Sequence, residues 1–286
     1  MANLKEIRNR IASVKSTMQI TSAMKMVSAA KLKKAQDAIT AMRPYANKLT
    51  ELLQNLSGSL DGDIGAKYTD NRELKKILIV SITSNRGLCG AFNSNIIKES
   101  VSLYHGKYGG KQVDYITIGK KGNDILSKKF NIVSNESSVL EDLTFENVAA
   151  IAEDLMTKFT EGEYDRIELV YNQFKNAATQ ILTTEQFLPI IPVVGDASAS
   201  ADYIFEPSKQ EIVEQLIPKS LKTQLYKAIR DSFASEHGAR MTAMHKATDN
   251  AGELKDQLTL TYNKARQSAI TGEILEIVSG AEALND

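Results

Sequence analysis

The chain is short of nearly everything that marks an enzyme or a membrane-spanning protein. It has one cysteine, Cys89, so it can hold neither an internal disulfide nor a cysteine-cluster metal site. Its three histidines, His105, His237 and His245, are too scattered along the chain to suggest a zinc site. No apolar run approaches 18 residues, which argues against a transmembrane helix. Excess charge of one sign is missing as well: Lys+Arg and Asp+Glu are both 35, so nothing in the bulk charge points to a nucleic acid. No signal peptide is expected. Leu4 to Val14 is basic and amphipathic, as a mitochondrial presequence is, but it runs on without a cleavage-type break.

Helix breakers are withheld from the two ends. Residues 1–57 contain no glycine and a single proline, Pro44, and residues 219–286 contain no proline. What remains there is periodic. Leu4, Ile7, Ile11, Val14 and Met18, then Leu32, Ala35, Ile39, Met42, Ala46, Leu49, Leu53 and Leu56, recur at steps of three or four, the spacing of one helix face. Asn3 and Glu6 suit a capping box at the start, and Pro44 is expected to kink the helix. Met244, Ala247, Ala251, Leu254, Leu258, Thr261 and Ala265 form a similar seam near the other end.

Two one-faced helices flanking a different kind of sequence should pair as an antiparallel coiled coil. With residue 57 opposite about 209, paired positions add to about 266, and residues 266–286 become an overhang of roughly 30 Å. That tail keeps an apolar stripe of Ile270, Ile274, Ile277, Ala281 and Leu284 despite Gly272 and Gly280. It is either a frayed terminus or a probe buried in another protein. The first helix has a gap too. Its seam register passes through polar Thr21, Lys25 and Ser28, while the apolar stripe shifts to Ile20, Met24 and Val27. A stutter in the supercoil and a second partner on a neighbouring face both account for this.

Between the helices the pattern changes. After a linker, Gly58 to Asn71, the run 75–83 (KKILIVSIT) reads as a buried strand, followed by a helix from about Ser94 to Tyr104. Residues 112–119 read as a strand, 122–130 as a short helix and Thr144–Phe159 as an amphipathic helix. Residues 165–174 read as a strand with 179–190 its hairpin partner. Such alternation predicts a mostly parallel α/β domain. Residues 192–208 return the chain to the second long helix near Ser208 or Lys209.

The stretch SNRGLCGAFN (84–93) lies between strand and helix, where α/β folds place ligands. Gly87 and Gly90 would admit a phosphate and Arg86 would pair with it. Yet the stretch is neither a Walker A motif nor GxGxxG, and no base is assigned to activate Cys89. A tight structural turn fits it better. No catalytic constellation and no cofactor site is expected.

Five stretches carry a resemblance: ITSAMKMVSAAKLKKA (20–35), SNRGLCGAFN (84–93), ARMTAMHKATDNA (239–251), YNKARQSAITGE (262–273) and ITGEILEIVSGAEA (270–283). Together, in this order, the chain resembles the gamma subunit of F-type ATP synthases over essentially its whole length. It resembles the bacterial form, since no transit peptide is seen and the paired regulatory cysteines of the chloroplast form are absent.

The resemblance implies a long antiparallel coiled coil of the terminal helices (1–57 with 208–286) and a central Rossmann-like α/β domain (72–200). It implies a non-catalytic rotor shaft inside the alpha/beta hexamer, with the epsilon subunit and the membrane rotor ring of c subunits at its foot. The membrane would be met only through the complex, at the cytoplasmic face of the bacterial plasma membrane. By position, Met24 and Lys25 would face the beta-subunit lever loop. Arg240, Gln267, Thr271, Glu273 and Glu276 would be polar catches or contacts with the hexamer, and Tyr203 and Glu206 would lie near the rotor ring.

On this reading Thr21, Lys25 and Ser28 form an outward contact zone, and position 24 lies opposite about 242, near Arg240–Met244. Residues 1–57 hold ten basic and three acidic residues, which suits the family's acidic lever loops. Two other classes remain: a nucleotide-binding α/β enzyme with helical dimerisation arms, and a passive coiled-coil scaffold.

Overall fold

The computed structural model describes residues 4–57, 67–70, 72–190 and 209–282. By its contacts the chain divides into two compact units, Met1–Ser28 with Met241–Asp286, and Ala29–Arg240. The expected cap at Asn3 lies outside the described residues, as do most of the linker and the return segment from Ile191 to Ser208.

The first unit contains the start of helix α1 (Leu4–Ser57) and the later part of helix α5 (Lys209–Glu282). Along α1, Ile7, Thr21 and Ser28 are buried, and Leu4, Ile11, Val14, Met18 and Lys25 are half-buried. The seam therefore keeps its three- and four-residue steps through the polar gap, and no stutter occurs. Thr21 and Ser28 face inward, which overturns the expected outward zone. The physical reason is that each hydroxyl is satisfied locally, Thr21 Oγ1 by the carbonyl of Met18 at 3.1 Å and Ser28 Oγ by that of Met24 at 2.8 Å. It is the apolar Ile20, Met26 and Val27 that are exposed.

On α5 the seam runs through Met244, Ala247, Ala251, Leu258 and Ala265; of the expected positions Thr261 is exposed, and Leu254, 46 % exposed, also leaves it. Thr248 Oγ1 donates to Thr21 Oγ1 at 2.8 Å, so paired positions add to 269, less than one turn from the expected value. Position 24 is then level with about 245.

The second unit is a three-layer α/β/α arrangement. Its strands are β1 (Lys76–Ile82), β2 (Gln112–Ile118), β3 (Ile132–Asn135), β4 (Arg166–Phe174) and β5 (Gln180–Leu188), in the order β3-β2-β1-β4-β5. The first four are parallel and β5 is antiparallel to β4. This is the mononucleotide-type winding, reversing direction between β1 and β4. Strands β1 and β2 are buried on both faces, which is why they read as near-continuous apolar runs.

One face packs on helix α4 (Phe145–Thr160), through Val148, Ile151, Leu155 and Phe159, and on α5 through Ile217, Leu221, Leu225 and Ile229. The other packs on helices α2 (Phe92–His105) and α3 (Lys120–Leu126). Thr144 caps α4 by accepting from the Asn147 amide. Within this unit the two long helices run antiparallel, since Arg43 of α1 faces Asp231 of α5 and Tyr45 faces Lys219. Helix α1 passes through Pro44 without interruption.

Candidate functional site

In an open parallel sheet the ligand crevice opens beyond the carboxyl ends of the strands where the order reverses, here β1 and β4. In this chain α5 occupies it. Ser232 Oγ donates to the carbonyl of Ile82, the last residue of β1, at 3.3 Å. Gly238 lies against the turn after β4: a Cβ there would stand 3.3 Å from both the Cα and the carbonyl oxygen of Ala177, so only glycine fits without displacement. One half-turn on, Arg240 reaches the loop after β1. Its Nη2 donates to the Arg86 carbonyl at 2.9 Å, and Nε and Nη2 donate to that of Gly87, both at 3.3 Å. Its Nη1 pairs with the buried carboxylate of Glu236.

This geometry decides the chemistry of the loop. A phosphate cradle offers backbone N–H groups to an anion; here the loop turns carbonyls toward the crevice, and a guanidinium already holds them. Ser84 Oγ also donates to the Arg86 carbonyl, at 2.7 Å, and Asn93 braces Ser84 from both sides of its amide. Cys89 is buried, and burial pushes its thiol above the usual range, so the neutral form is held. Burial likewise raises the Glu236 carboxyl, in spite of Arg240, and holds the His237 imidazole down at about 3. His237 is therefore neutral beside Arg240. The structure gives the nucleotide-enzyme reading no place to bind its ligand in this crevice.

The residues expected at partner contacts fall into four groups. Met24 and Lys25 are half-buried in the first unit, beside exposed Met26 and Val27. Gln267, Thr271, Glu273 and Glu276 are all exposed on the far part of α5. Arg240 is 7 % exposed and belongs to the second unit, where its donors are taken up as described. Tyr203 and Glu206 lie outside the described residues. From 266 to 281 every residue is exposed except Ala269 and Gly272, which are half-buried. Ile270, Ile274, Leu275, Ile277 and Val278 are between 48 % and 72 % exposed, so five large apolar side chains lie open within nine residues of one helix.

Two groups were not singled out from sequence. One is Glu236, whose spacing of four from Arg240 was the available signal. The other is Asp231, 1 % exposed on its side chain, with Arg43 Nη2 3.8 Å away and no hydrogen-bond partner for either oxygen among the described residues. Burial raises its carboxyl to about 6, against the lowering effect of Arg43 and Lys227.

A paired-helix unit with an apolar outer face, and an α/β unit whose crevice is filled from within, define a protein that works by contact rather than by bond chemistry. The chain belongs to the ATP synthase gamma chain family. The family model described as ATP synthase matches residues 3–284. Relatives called ATP synthase gamma chain include those of Flavobacterium psychrophilum, 75 % identical over 99 % of both chains, and Flavobacterium johnsoniae, 74 % identical over the full length of both. That of Christiangramia forsetii is 65 % identical, again over the full length of both.

Among solved structures, a chain of the central stalk and c-ring of the Tetrahymena thermophila mitochondrial ATP synthase is 27 % identical, with a TM-score of 0.61, covering 80 % of this chain and 99 % of that one. A chain of the Euglena gracilis mitochondrial enzyme, at 23 % identity, shares the fold with a TM-score of 0.68, covering 98 % of this chain and 94 % of that one. No described helix is long and apolar enough to cross a membrane.

Proposed function

We propose that this chain is the central-stalk rotor subunit of a proton-translocating F-type ATP synthase. It couples rotation of the membrane ring to conformational cycling of the catalytic beta subunits, in synthesis or hydrolysis. Its partners are the alpha and beta subunits, the epsilon subunit and the ring of c subunits. It is non-catalytic, and it meets the membrane peripherally, through the complex, at the cytoplasmic face of the bacterial plasma membrane. Residues 1–57 and 208–286 serve as the shaft and 72–200 as the foot.

The observation that supports this reading best is the tail. Residues 266–281 carry exposed Ile, Leu and Val beyond the level of Leu4, in a chain matched by its family over residues 3–284. A shaft must bind its sleeve and still turn, so no angular position can be a deep minimum. Apolar contacts without direction suit that need, while a few polar groups set the preferred stops. Gln267, Thr271, Glu273 and Glu276 on the tail, with Met24 and Lys25 on α1, fill those roles toward the alpha/beta hexamer. Arg240 contributes at the same interface by holding the loop at Arg86 and Gly87. Tyr203 and Glu206 face the rotor ring and epsilon.

Reconstitution with alpha and beta subunits tests this. The full chain should give a stable complex with cooperative ATPase turnover. A chain ending at residue 265 should give weaker assembly or slower turnover. No association would defeat the rotor reading, and unchanged activity after truncation would favour a passive scaffold.

A further inference from the structure

The polar gap in the α1 seam has a specific occupant. Thr21, 8 % exposed, meets half-buried Thr248 of α5 at 2.8 Å between hydroxyl oxygens. Each hydroxyl also reaches a carbonyl one turn back on its own helix, Thr21 to Met18 at 3.1 Å and Thr248 to Met244 at 2.8 Å. Two protons therefore serve three contacts. Either Thr248 donates across to Thr21 while Thr21 donates to Met18, or Thr21 donates across to Thr248 while Thr248 donates to Met244. Both arrangements keep one bond across the seam and leave no donor unpaired.

The apolar contacts around this pair specify register weakly. Among the described residues of this unit the buried apolar side chains are Ile7, Met244 and Ala251, and the α5 side mixes the small residues Ala247, Ala251, Gly252 and Ala265 with Met244 and half-buried Leu258 and Tyr262. A slide of α5 by one turn sets Ala247 where Ala251 stood, Leu254 where Leu258 stood and Leu258 where Tyr262 stood, so apolar residues still occupy much of the seam. It would, however, part the two hydroxyls by about 5.4 Å, beyond any hydrogen bond. A single polar contact inside an apolar seam is a known means of selecting one register among near-equal ones.

We propose that the Thr21–Thr248 hydroxyl pair is a register key, fixing which turn of α1 lies against which turn of α5 in the unit built from residues 4–28 and 241–282. The key positions rather than stabilises. It determines where exposed Ile20, Met26 and Val27 stand along the shaft relative to exposed Leu254 and Leu260.

The test uses the full chain with spin labels at exposed Arg8 and Lys246, which stand about 15 residues, roughly 22 Å, apart along the paired helices, so that their separation reports register. The parent protein should give one narrow distance. The Thr21→Val/Thr248→Val protein, isosteric and wholly apolar, should remain folded with equal or higher thermal stability. Its distance distribution should broaden or gain a second peak displaced by about one turn, 5.4 Å. Thr248→Ser, which keeps the hydroxyl, should restore the single distance. A double-valine protein that keeps the parent distance overturns the proposal. So does one that loses stability with its register unchanged, because the pair would then be an ordinary stabilising contact. Should the double variant fail to fold, the single Thr248→Val and Thr248→Ser proteins give the same comparison.

Discussion

The guanidinium of Arg240 donates to the main-chain carbonyl of Arg86 at 2.9 Å, across 154 residues of sequence. Through that bond a helix at one end of the chain closes the crevice at the switch point of a sheet built from its middle. Glu236 balances the charge from one turn back, so the closure is a buried ion pair rather than a lone cation. The arrangement resembles an enzyme's fold with the substrate's place taken by the protein itself.

Arg240→Lys is expected to undo this closure. One ammonium cannot reach two carbonyls and a carboxylate in the fork geometry of a guanidinium. Leaving Glu236 buried and poorly paired should cost about 3 kcal/mol in urea unfolding. The loop should also loosen locally. Labelling of Cys89 by a thiol reagent, slow in the parent because the thiol is buried and held neutral, should become faster before global unfolding sets in.

Asp231 predicts a pH dependence of a definite sign. Its folded value, about 6, lies above the unfolded value near 3.8, so the folded chain holds the proton more tightly. Stability from this group is complete below about pH 3.8 and is lost as pH rises through 6. At neutral pH the buried carboxylate is a liability, only partly offset by Arg43 at 3.8 Å. Asp231→Asn should therefore be more stable than the parent above pH 7, by on the order of 2–3 kcal/mol, and indistinguishable from it near pH 4. Denaturant melts of both proteins across that range provide the comparison; a constant difference at all pH values would contradict the assignment.

Gly238→Val should separate packing from helix propensity. Valine favours a helix slightly more than glycine does, so an exposed position would gain from the change. Here the Cβ would meet the Ala177 backbone at 3.3 Å, with Phe174 Cε2 at 3.6 Å behind it. A net loss of about 1–3 kcal/mol is expected, measured by thermal or chemical unfolding.

Much of this architecture was legible beforehand because it rests on local periodicity. The three-and-four spacing of α1 marked its buried side at Leu32, Ala35 and Ile39 as well as at Ile7, and the apolar runs at 75–83 and 165–174 became β1 and β4. Strand β3 escaped notice: four residues, Ile132 to Asn135, with alternate half-burial, carry too short a pattern to stand out, and only pairing with β2 makes them a strand. The outward contact zone expected at Thr21, Lys25 and Ser28 fails for another reason. Polarity suggests an outward face, but Thr and Ser satisfy their hydroxyls on their own helix and are small enough to sit in a seam.

What the sequence by itself determined was the element types, the antiparallel pairing to within one turn, and the exposed apolar tail, because each follows from spacing along one chain. What only the tertiary structure decided was which side groups meet across long separations. Thr21 finds Thr248, Arg43 approaches Asp231, and Arg240 fills the crevice between β1 and β4. Those choices depend on distances in space and on desolvation, and neither is written in the spacing of residues.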